Sequence, residues 1–409
     1  MSRLKNEPNR ELLKLTVGKD IALLEQLIVA AGGDHRGLAE ITKSLPLDDL
    51  TSVLVDEVVF RANTHAADSA YRQDTEAPEL GTVLVGVHHD GLHQERSLAV
   101  RADGTVEPAA DTRADVSLRL DYDLHDLIRV LFGPTRPRPA GTYASSFLPA
   151  TAGGRRMPPL ETVYQGMDAA GTVLSGLSQH HPDLSELARR YRTDKWGGLH
   201  WFTGLYERHL REFRELPLRI LEIGIGGYGS ATLGGESLRM WKRYFPRGLV
   251  FGLDIFDKSA VDEQRITTLR ADQNDPRALI EVEEKYGPFD IVIDDGSHVN
   301  GHIRTSLETL FPRLRAGGLY VIEDLWTSYC PGYGGQDRVP VDGTTSVGML
   351  KDIVEGIQYE EQPHRAERPP THLERNVVGV HVYHNLAFLE KGVNAEGGVP
   401  TWVPRAPRY

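Results

Sequence analysis

Two pairs of acidic residues in the second half of the chain stand directly after short apolar runs. Asp294 and Asp295 follow Ile-Val-Ile, and Glu323 and Asp324 follow Tyr-Val-Ile. If the two runs are neighbouring strands of one parallel sheet, their carboxyl ends meet at the edge where such sheets bind ligands. Clustered carboxylates repel one another, and a cation relieves that repulsion. The pattern therefore predicts a metal site formed by Asp295, Glu323 and Asp324, with helix capping and surface solvation as the alternative.

The types of side chain limit which ion this site would bind and what it would do. Carboxylate oxygens favour hard cations, so Mg²⁺ is expected and Mn²⁺ could replace it. His298 follows Asp295 by three residues, in the run Asp-Gly-Ser-His. An imidazole accepts a proton near neutral pH, and an alcohol must lose its proton to become a good nucleophile. We therefore expect His298 to be a general base beside the metal, unless it is an ordinary loop histidine.

The same half of the chain contains the elements that would bring these residues together. Short apolar runs alternate with helical segments, which is typical of a parallel sheet covered on both faces. The predicted strands cover residues 218–225, 249–255, 266–270, 289–293 and 318–322, the helices cover 236–244, 277–285 and 302–314, and one or two further strands lie in 377–391. The predicted fold class is α/β, with a doubly wound, mostly parallel, Rossmann-like sheet.

A glycine-rich segment follows the first predicted strand, which is where such sheets bind a nucleotide. Gly224, Gly226 and Gly229 fit the G-x-G-x-x-G pattern, so an NAD-linked oxidoreductase has to be considered. Two carboxylates favour S-adenosylmethionine instead. Glu222 could bind the ammonium of the methionine moiety and would repel a pyrophosphate. Asp254, at the end of the second strand, could accept both ribose hydroxyls.

Further polar residues are candidates for binding the same cofactor. Asp272 and Gln273 end the third strand, beside the expected position of the adenine. Thr193 precedes the first strand and Ser237 is near the start of the next helix, so each could offer a hydroxyl. Either hydroxyl could equally belong to an ordinary helix end.

The first half of the chain has a different pattern and ends in a stretch rich in proline and glycine. Helical apolar spacing in residues 20–62 is followed by predicted strands at 82–87, 97–100 and 116–120, a hairpin turn at Asp103-Gly104 and a helix at 124–132. Proline and glycine crowd residues 133–141 and 153–159, which breaks regular structure. We therefore predict an auxiliary α+β domain at 1–160 and a second domain at 161–409. No catalytic constellation appears in the first domain.

Composition excludes several classes of protein. A chain of 409 residues is expected to form two domains, and its net charge of −12 argues against a nucleic acid or an anionic membrane as partner. Cys330 is the only cysteine, which excludes internal disulfides. No run reaches about 18 apolar residues, and the first residues are charged where a signal peptide is apolar. We expect a cytoplasmic protein.

Three motifs carry a resemblance to a known family. Glu-Ile-Gly-Ile-Gly-Gly (222–227), Ile-Asp-Asp-Gly-Ser-His-Val-Asn (293–300) and Val-Ile-Glu-Asp-Leu-Trp (321–326) resemble the metal-dependent macrolide sugar O-methyltransferases of the mycinamicin and tylosin pathways. Those enzymes methylate the 2-hydroxyl of a 6-deoxyallose. The resemblance extends over the whole chain, with specific motifs in the second half and vague ones in the first. It implies a class I methyltransferase domain preceded by the auxiliary domain.

The resemblance also implies roles for particular residues. Asp295, Glu323 and Asp324 become Mg²⁺ ligands and His298 the general base. The residues implied to bind S-adenosylmethionine, together with Thr193, are Glu222, Gly224, Gly226, Gly227, Tyr228, Ser237, Asp254, Asp272, Gln273 and Asp295. The family forms homotetramers in which the auxiliary domain contributes to assembly and to a neighbour's active site. The acceptor implied is a macrolide glycoside, and another glycosylated natural product is the alternative.

Overall fold

The chain divides into two compact units. The computed structural model describes residues 20–63, 77–109, 116–135, 143–147, 160–178, 181–363 and 367–407. The amino-terminal unit comprises Met1–Pro217, Arg239–Leu249 and Glu263–Arg265, and the carboxy-terminal unit comprises Leu218–Leu238, Val250–Asp262 and Ile266–Tyr409. Residues 136–141 and 153–159 of the proline- and glycine-rich stretch lie outside the described residues. The functional boundary at residue 160 therefore stays a prediction.

The amino-terminal unit combines helices with a mixed five-stranded sheet. Its helices are α1 (Ile21–Gly32), α2 (His35–Thr42), α3 (Leu47–Ala62), α4 (Leu124–Phe132), α5 (Leu160–Leu177), α6 (Leu184–Tyr191) and α7 (Thr203–Leu210). Its strands are β1 (Glu79–His89), β2 (Leu92–Arg101), β3 (Val106–Pro108), β4 (Val116–Asp123) and β5 (Tyr143–Phe147), in the order β3-β2-β1-β4-β5. Strand β1 is antiparallel to β2 and parallel to β4.

The local sequence explains several of these elements. The side chain of Asp123 accepts hydrogen bonds from the first backbone N–H groups of α4, which begins the helix at the predicted residue. The apolar spacing of α4 buries Leu127, Ile128 and Leu131. The predicted hairpin turn at Asp103-Gly104 joins β2 to β3. The helices and strands expected between residues 20 and 132 are thus confirmed.

The chain from residue 218 onward forms a seven-stranded sheet flanked by helices. Its elements in chain order are β6 (Leu218–Ile223), α8 (Glu236–Tyr244), β7 (Gly248–Asp254), β8 (Ile266–Arg270), α9 (Pro276–Tyr286), β9 (Ile291–Asp294), α10 (Asn300–Leu310), β10 (Leu319–Glu323), α11 (Ser346–Ile357), α12 (His372–Asn376), β11 (Val377–Tyr383) and β12 (Leu386–Lys391). Short 3₁₀ helices cover Arg211–Phe213, Ser259–Val261, Phe311–Arg313, Leu325–Tyr329, Pro331–Tyr333 and Tyr359–Glu361. None of the helices within the described ranges is both long and apolar enough to cross a membrane.

The strand order creates a crevice in the middle of this sheet. The order is β11-β12-β10-β9-β6-β7-β8, with β9 parallel to both β6 and β10, β7 parallel to β8, and β12 antiparallel to β10. The chain runs from β6 to β7 and β8 on one side, and then returns to β9 and β10 on the other. Sheets of this kind bind ligands outside the carboxyl ends of the strands at such a reversal, which here lies between β6 and β9. The predicted doubly wound, mostly parallel sheet is confirmed.

A fully buried carboxylate stabilises the amino-terminal unit. Glu57 of α3 accepts hydrogen bonds from Arg61 Nε at 2.8 Å and from Arg265 Nη2 at 2.6 Å. Arg265 also donates to three backbone carbonyls between residues 242 and 248. Burial alone would raise the pKa of Glu57, but the charges of Arg265 and Arg61 outweigh it and lower the pKa to about 2. The ion pairs therefore connect α3 with the segment around Arg265.

We expect Glu57→Gln to lower the free energy of unfolding by about 3–5 kcal/mol at neutral pH, because two buried guanidinium groups lose their counter-charge. The folded pKa of Glu57 lies below its unfolded value, so this stabilisation is complete above the unfolded pKa. It is lost as the pH falls towards the folded pKa of about 2. Urea unfolding followed by circular dichroism, from neutral pH down to about pH 3, measures the difference. Glu40→Gln makes the same change at an exposed helical position, and equal stability of the two variants at neutral pH would contradict the prediction.

Candidate metal and cofactor site

The register of three parallel strands brings predicted site residues to one level at the rim of the sheet. Asp294, the last residue of β9, lies opposite Ile223 of β6 and Ile322 of β10. The residues that directly follow Ile223, Asp294 and Ile322 in the sequence are Gly224, Asp295 and Glu323. All three therefore lie at the carboxyl ends of adjacent strands, next to the crevice.

Two overlapping groups of side chains at this rim have ligand atoms close enough to share a metal ion. In one group, Asp295, His298 and Asp324 each offer an atom, and these atoms lie within 4.8 Å of one another. In the other group, Glu222, Asp295 and Glu323 do the same. Asp295 is common to both. The structure thus brings together the acidic residues predicted from the two strand ends, and their oxygen atoms suit a hard cation such as Mg²⁺ or Mn²⁺.

Left-handed backbone conformations turn two of these side chains toward the others. His298 has φ of +56° and Asp324 has φ of +57°. Such values are uncommon for residues other than glycine and concentrate at functional sites. Because the chain turns at Asp324 directly after β10, Glu323 and Asp324 can both contribute to the cluster. Nε2 of His298 lies 3.4 Å from Oδ2 of Asp324.

Glu222 and Ser237 form a second polar contact at this rim. Glu222 is fully buried near the end of β6, and its Oε2 accepts a hydrogen bond from the Ser237 hydroxyl at 2.7 Å. Ser237 is the second residue of α8. The hydroxyl predicted to reach the amino-acid end of the cofactor therefore contacts the carboxylate predicted to bind its ammonium.

The glycine-rich loop between β6 and α8 packs directly on the loop that follows β9. Gly224 has φ of +95°, and a Cβ atom there would lie 2.1 Å from the carbonyl oxygen of Asp295. Only glycine fits without displacing that backbone. Gly226 and Gly227 also have positive φ, and the Tyr228 ring after them is 90% exposed. The contacts of these residues with the cofactor stay a prediction.

Lys258 is a functional candidate that the sequence did not reveal. Its side chain is buried, and Nζ donates to the carbonyl oxygens of Ser230 at 2.7 Å and Leu233 at 3.0 Å. Both carbonyls belong to the glycine-rich loop, so the ammonium holds that loop in place. No signal in the sequence links a lysine to carbonyls some 25 to 28 residues away, because the contact depends on how the loops fold together.

Asp254 connects two strand ends. Its Oδ2 accepts from the backbone N–H of Ile225 at 3.1 Å, and its Oδ1 accepts from that of Phe256 at 2.9 Å. Ile225 belongs to the glycine-rich loop, so Asp254 ties the end of β7 to it. Asp272 is exposed after β8 and accepts from the backbone N–H of Asn274 at 2.8 Å. Both carboxylates lie at the carboxyl ends of their strands, as their predicted contacts with ribose and adenine require.

The two members of the Asp294-Asp295 pair have different surroundings. Asp295 belongs to the ligand groups, whereas Asp294 is buried among the side chains of Gln273, Ser306 and Tyr320. Burial raises the pKa of Asp294, and the hydrogen bonds from Ser306 and Gln273 oppose that effect. Asp295 is the member that the sequence predicts as a metal ligand, and its carboxylate is the one that lies in the ligand groups.

Thr193 belongs to the amino-terminal unit. Its buried hydroxyl donates to Sδ of Met240 at 3.9 Å and accepts from the backbone N–H of Lys195 at 3.2 Å. The contact of Thr193 with the cofactor stays a prediction.

We expect Gly224→Ala to displace the backbone at Asp295, because the added methyl group would overlap its carbonyl oxygen and the residue has a positive φ. The predicted effect is a loss of about 1–3 kcal/mol in stability and weaker binding of Mn²⁺. Thermal unfolding and electron paramagnetic resonance of added Mn²⁺ measure the two quantities. Gly301→Ala is the matched control, since a Cβ atom there meets nothing within 4 Å. Wild-type Mn²⁺ affinity in the Gly224 variant would show that the close approach does not matter.

Comparison with known proteins identifies relatives that match almost the full chain. Residues 24–143 match the family model described as MycE methyltransferase N-terminal. Demethylmacrocin O-methyltransferase of Streptomyces fradiae is 49% identical, over 96% of this chain and 96% of its own length. Mycinamicin VI 2''-O-methyltransferase of Micromonospora griseorubida is 44% identical, over 94% of this chain and 95% of its own length.

A solved structure gives the same result for the fold. The MycE methyltransferase from the mycinamycin pathway, in complex with Mg, SAH and mycinamycin VI, superposes with a TM-score of 0.84 at 43% identity, covering 95% of this chain and 97% of that one. This match confirms the predicted methyltransferase fold. With relatives this similar over nearly their whole length, the chain belongs to the MycE-type family of macrolide sugar O-methyltransferases.

Proposed function

We propose that this chain transfers a methyl group from S-adenosylmethionine to a hydroxyl of a deoxysugar on a macrolide, in a reaction that requires Mg²⁺. The position of Asp295 carries the proposal. Its carboxylate belongs both to the group with His298 and Asp324 and to the group with Glu222 and Glu323. Asp295 therefore lies among the proposed metal ligands and also close to Glu222, the proposed partner of the donor's ammonium group. The names of the relatives and the ligands of the MycE structure support the same reaction.

Asp295, Glu323 and Asp324 are the proposed metal ligands. Glu323 and Asp324 are only 1% and 8% exposed, so little water is available to screen their charges. Carboxylates held this close together are unfavourable without a counter-charge, and oxygen ligands fit Mg²⁺ with Mn²⁺ as substitute. When bound, the divalent ion would lower the pKa of the sugar hydroxyl and fix its direction of attack.

The donor would lie along the crevice beside the glycine-rich loop. Buried Glu222, oriented by Ser237, provides the negative charge for the ammonium of the methionine moiety. Asp254 at the end of β7 provides acceptors for the ribose hydroxyls, since each carboxylate oxygen can accept a second hydrogen bond. The remaining proposed contacts are Thr193, Gly224, Gly226, Gly227, Tyr228, Asp272, Gln273 and Asp295.

His298 is the proposed general base. Its side chain is a quarter exposed, so a sugar hydroxyl can approach it from the solvent side. The imidazole would take the proton of that hydroxyl as the oxygen attacks the methyl carbon, and the sulfonium becomes a neutral thioether. Asp324, 3.4 Å away, stabilises the imidazolium that results.

An NAD-linked oxidoreductase, the alternative raised by the glycine spacing, is not the function, because the chain belongs to an O-methyltransferase family. The buried carboxylate of Glu222 also disfavours a pyrophosphate beside the glycine-rich loop. The G-x-G-x-x-G pattern here serves close backbone packing, as at Gly224, which any nucleotide-type cofactor can exploit.

Finer assignments belong to the same proposal. We assign the 2-hydroxyl of a 6-deoxyallose as acceptor, which is supported by the 2'' position in the name of the Micromonospora griseorubida relative. We also propose that the chain works in the cytoplasm as a homotetramer, with the auxiliary domain contributing to assembly and to a neighbour's active site. Light scattering of the purified protein tests the tetramer.

We expect His298→Ala to reduce kcat by about 10²–10⁴-fold, because the proton of the sugar hydroxyl loses its acceptor. Binding of S-adenosylhomocysteine should remain at the wild-type level, since the imidazole does not hold the donor. Single-turnover assays with labelled methyl donor and calorimetry measure these quantities. His384→Ala removes an exposed imidazole from the β11–β12 turn and should leave both unchanged. A kcat for the His298 variant within a factor of about three of wild type would remove this residue from the proposed mechanism.

A panel of glycosylated acceptors tests the proposed function itself. We expect methylation of macrolides that carry a 6-deoxyallose, at the 2-hydroxyl, and loss of the activity when EDTA removes the divalent ion. Mass spectrometry and NMR of the product identify the acceptor and the position. Glycosylated aromatic polyketides serve as the comparison group. Exclusive methylation of that group, or activity that persists in EDTA, would contradict the proposal.

A further inference from the structure

We propose that Gln273 and Asp294 are positioning residues that together fix the loop carrying Asp295 and His298. This inference rests on the proposed function, because it concerns the metal ligand and the base of that reaction. It also gives Gln273 a second role. The sequence predicts only that Gln273 lies beside the adenine. The evidence is a chain of hydrogen bonds that runs from the core of the sheet to the loop.

Gln273 bridges the end of β9 and the loop that follows it. Its side-chain Nε2 donates to Oδ1 of Asp294 at 2.9 Å, and its Oε1 accepts from the backbone N–H of Ser297 at 2.8 Å. The side chain is only 6% exposed. Both ends of a buried amide are therefore engaged within the protein, and one of them holds the backbone between Asp295 and His298.

Asp294 is itself held from the opposite side. Its Oδ2 accepts from the hydroxyl of Ser306 and from the Tyr320 hydroxyl at 3.3 Å. Asp294 is 1% exposed and lies in a central strand. The position of the Gln273 amide is thus determined by the core of the sheet, and Gln273 transmits that position to Ser297.

The loop from Asp295 to His298 has little room to move while this contact is intact. A Cβ atom on Gly296 would lie 2.3 Å from Oε1 of Gln273, so the amide and the backbone are in direct contact. The backbone N–H of Asp295 donates to the carbonyl of Ile223 at 3.0 Å. His298 has φ of +56°, a conformation that persists only where neighbouring contacts impose it. The hydrogen bond to Ser297 therefore acts on the backbone between Asp295 and His298.

One displacement would therefore move the metal ligand and the base together. If the Ser297 hydrogen bond is lost, His298 can relax toward a right-handed conformation, and Asp295 loses its fixed position relative to Asp324. Misplacement by about 1 Å can reduce a rate by about 10²-fold, although no group that reacts has been removed. The expected effects are on kcat and on metal affinity, and not on the affinity for the donor.

The adenine contact proposed for Gln273 would not by itself produce these effects. A residue that only holds adenine changes the affinity for S-adenosylhomocysteine and leaves kcat at saturating donor unchanged. The two roles separate in Asp294→Ala, because Asp294 is buried against Gln273 and the core. If the side chain of Gln273 acts through the loop, removing its anchor has the same effect as removing Gln273.

The experiment compares four variants of the full-length protein. Gln273→Met removes both hydrogen bonds with little change in volume, and Asp294→Ala removes the anchor. Asp294→Asn keeps an oxygen that can accept from Gln273, so it is the conservative rescue. Thr305→Val is the control, since it removes a nearby exposed contact, with Asn274 at 3.1 Å, that does not involve the loop. Each variant is assayed for kcat and KM, Mn²⁺ affinity by electron paramagnetic resonance, and affinity for S-adenosylhomocysteine by calorimetry.

We expect Gln273→Met and Asp294→Ala to lower kcat by about 30- to 100-fold and to weaken Mn²⁺ binding by about 10-fold. In Asp294→Ala, whose lost side chain is not a proposed cofactor contact, affinity for S-adenosylhomocysteine should stay within about three-fold of wild type. Asp294→Asn and Thr305→Val should behave like wild type. Loss of S-adenosylhomocysteine affinity with unchanged kcat and Mn²⁺ binding would overturn the proposal. If Asp294→Ala does not fold, Gln273→Met and Asp294→Asn still decide it. If wild type methylates no sugar, the proposed function fails, whereas the Mn²⁺ comparison still tests the loop.

Discussion

Repulsion between carboxylates is the constraint on which the site depends. Glu222, Asp295, Glu323 and Asp324 converge at the rim of one sheet, with ligand atoms within 4.8 Å inside each group, and little solvent is present to screen them. Folding brings these charges together at an energetic cost, which the proposed divalent cation would offset. In the proposed reaction, a cation held by these oxygen ligands would act on a substrate hydroxyl more strongly than it would in water.

The amino-terminal unit also buries a carboxylate, but compensates its charge in a different way. Glu57 is as thoroughly buried as Glu222, but its carboxylate is compensated permanently by Arg61 and Arg265, whose charges lower its pKa to about 2. Both guanidinium groups donate hydrogen bonds to that carboxylate, so its role is to stabilise the fold. The carboxylates of the two ligand groups at the rim of the other sheet are, by contrast, proposed to bind an ion and a cofactor.

Placement of the site comes from the backbone of a parallel sheet. Because β6, β9 and β10 are in register, the residues that follow them share one level, and each subsequent turn directs side chains toward the same crevice. The exact positions of the loops at this rim then depend on residues that lie behind the site. Lys258 holds the glycine-rich loop through its carbonyls, and Asp294 and Gln273 hold the loop that carries His298, the proposed base. These three side chains thereby position the loops that carry the proposed reacting groups.

The sequence by itself determined the strands and helices of the second half, the mostly parallel sheet and the acidic residues at its strand ends. It could do so because apolar runs, helix-capping residues and the periodic spacing of apolar residues all depend on residues that are close in the sequence. The tertiary structure alone decided that Asp294 is buried against Gln273, Ser306 and Tyr320, that Gln273 also accepts from the backbone of Ser297, and that Lys258 holds a distant loop. The physical reason is that side-chain direction at a strand end depends on the φ of the following turn and on partners far away in the chain, neither of which local sequence specifies.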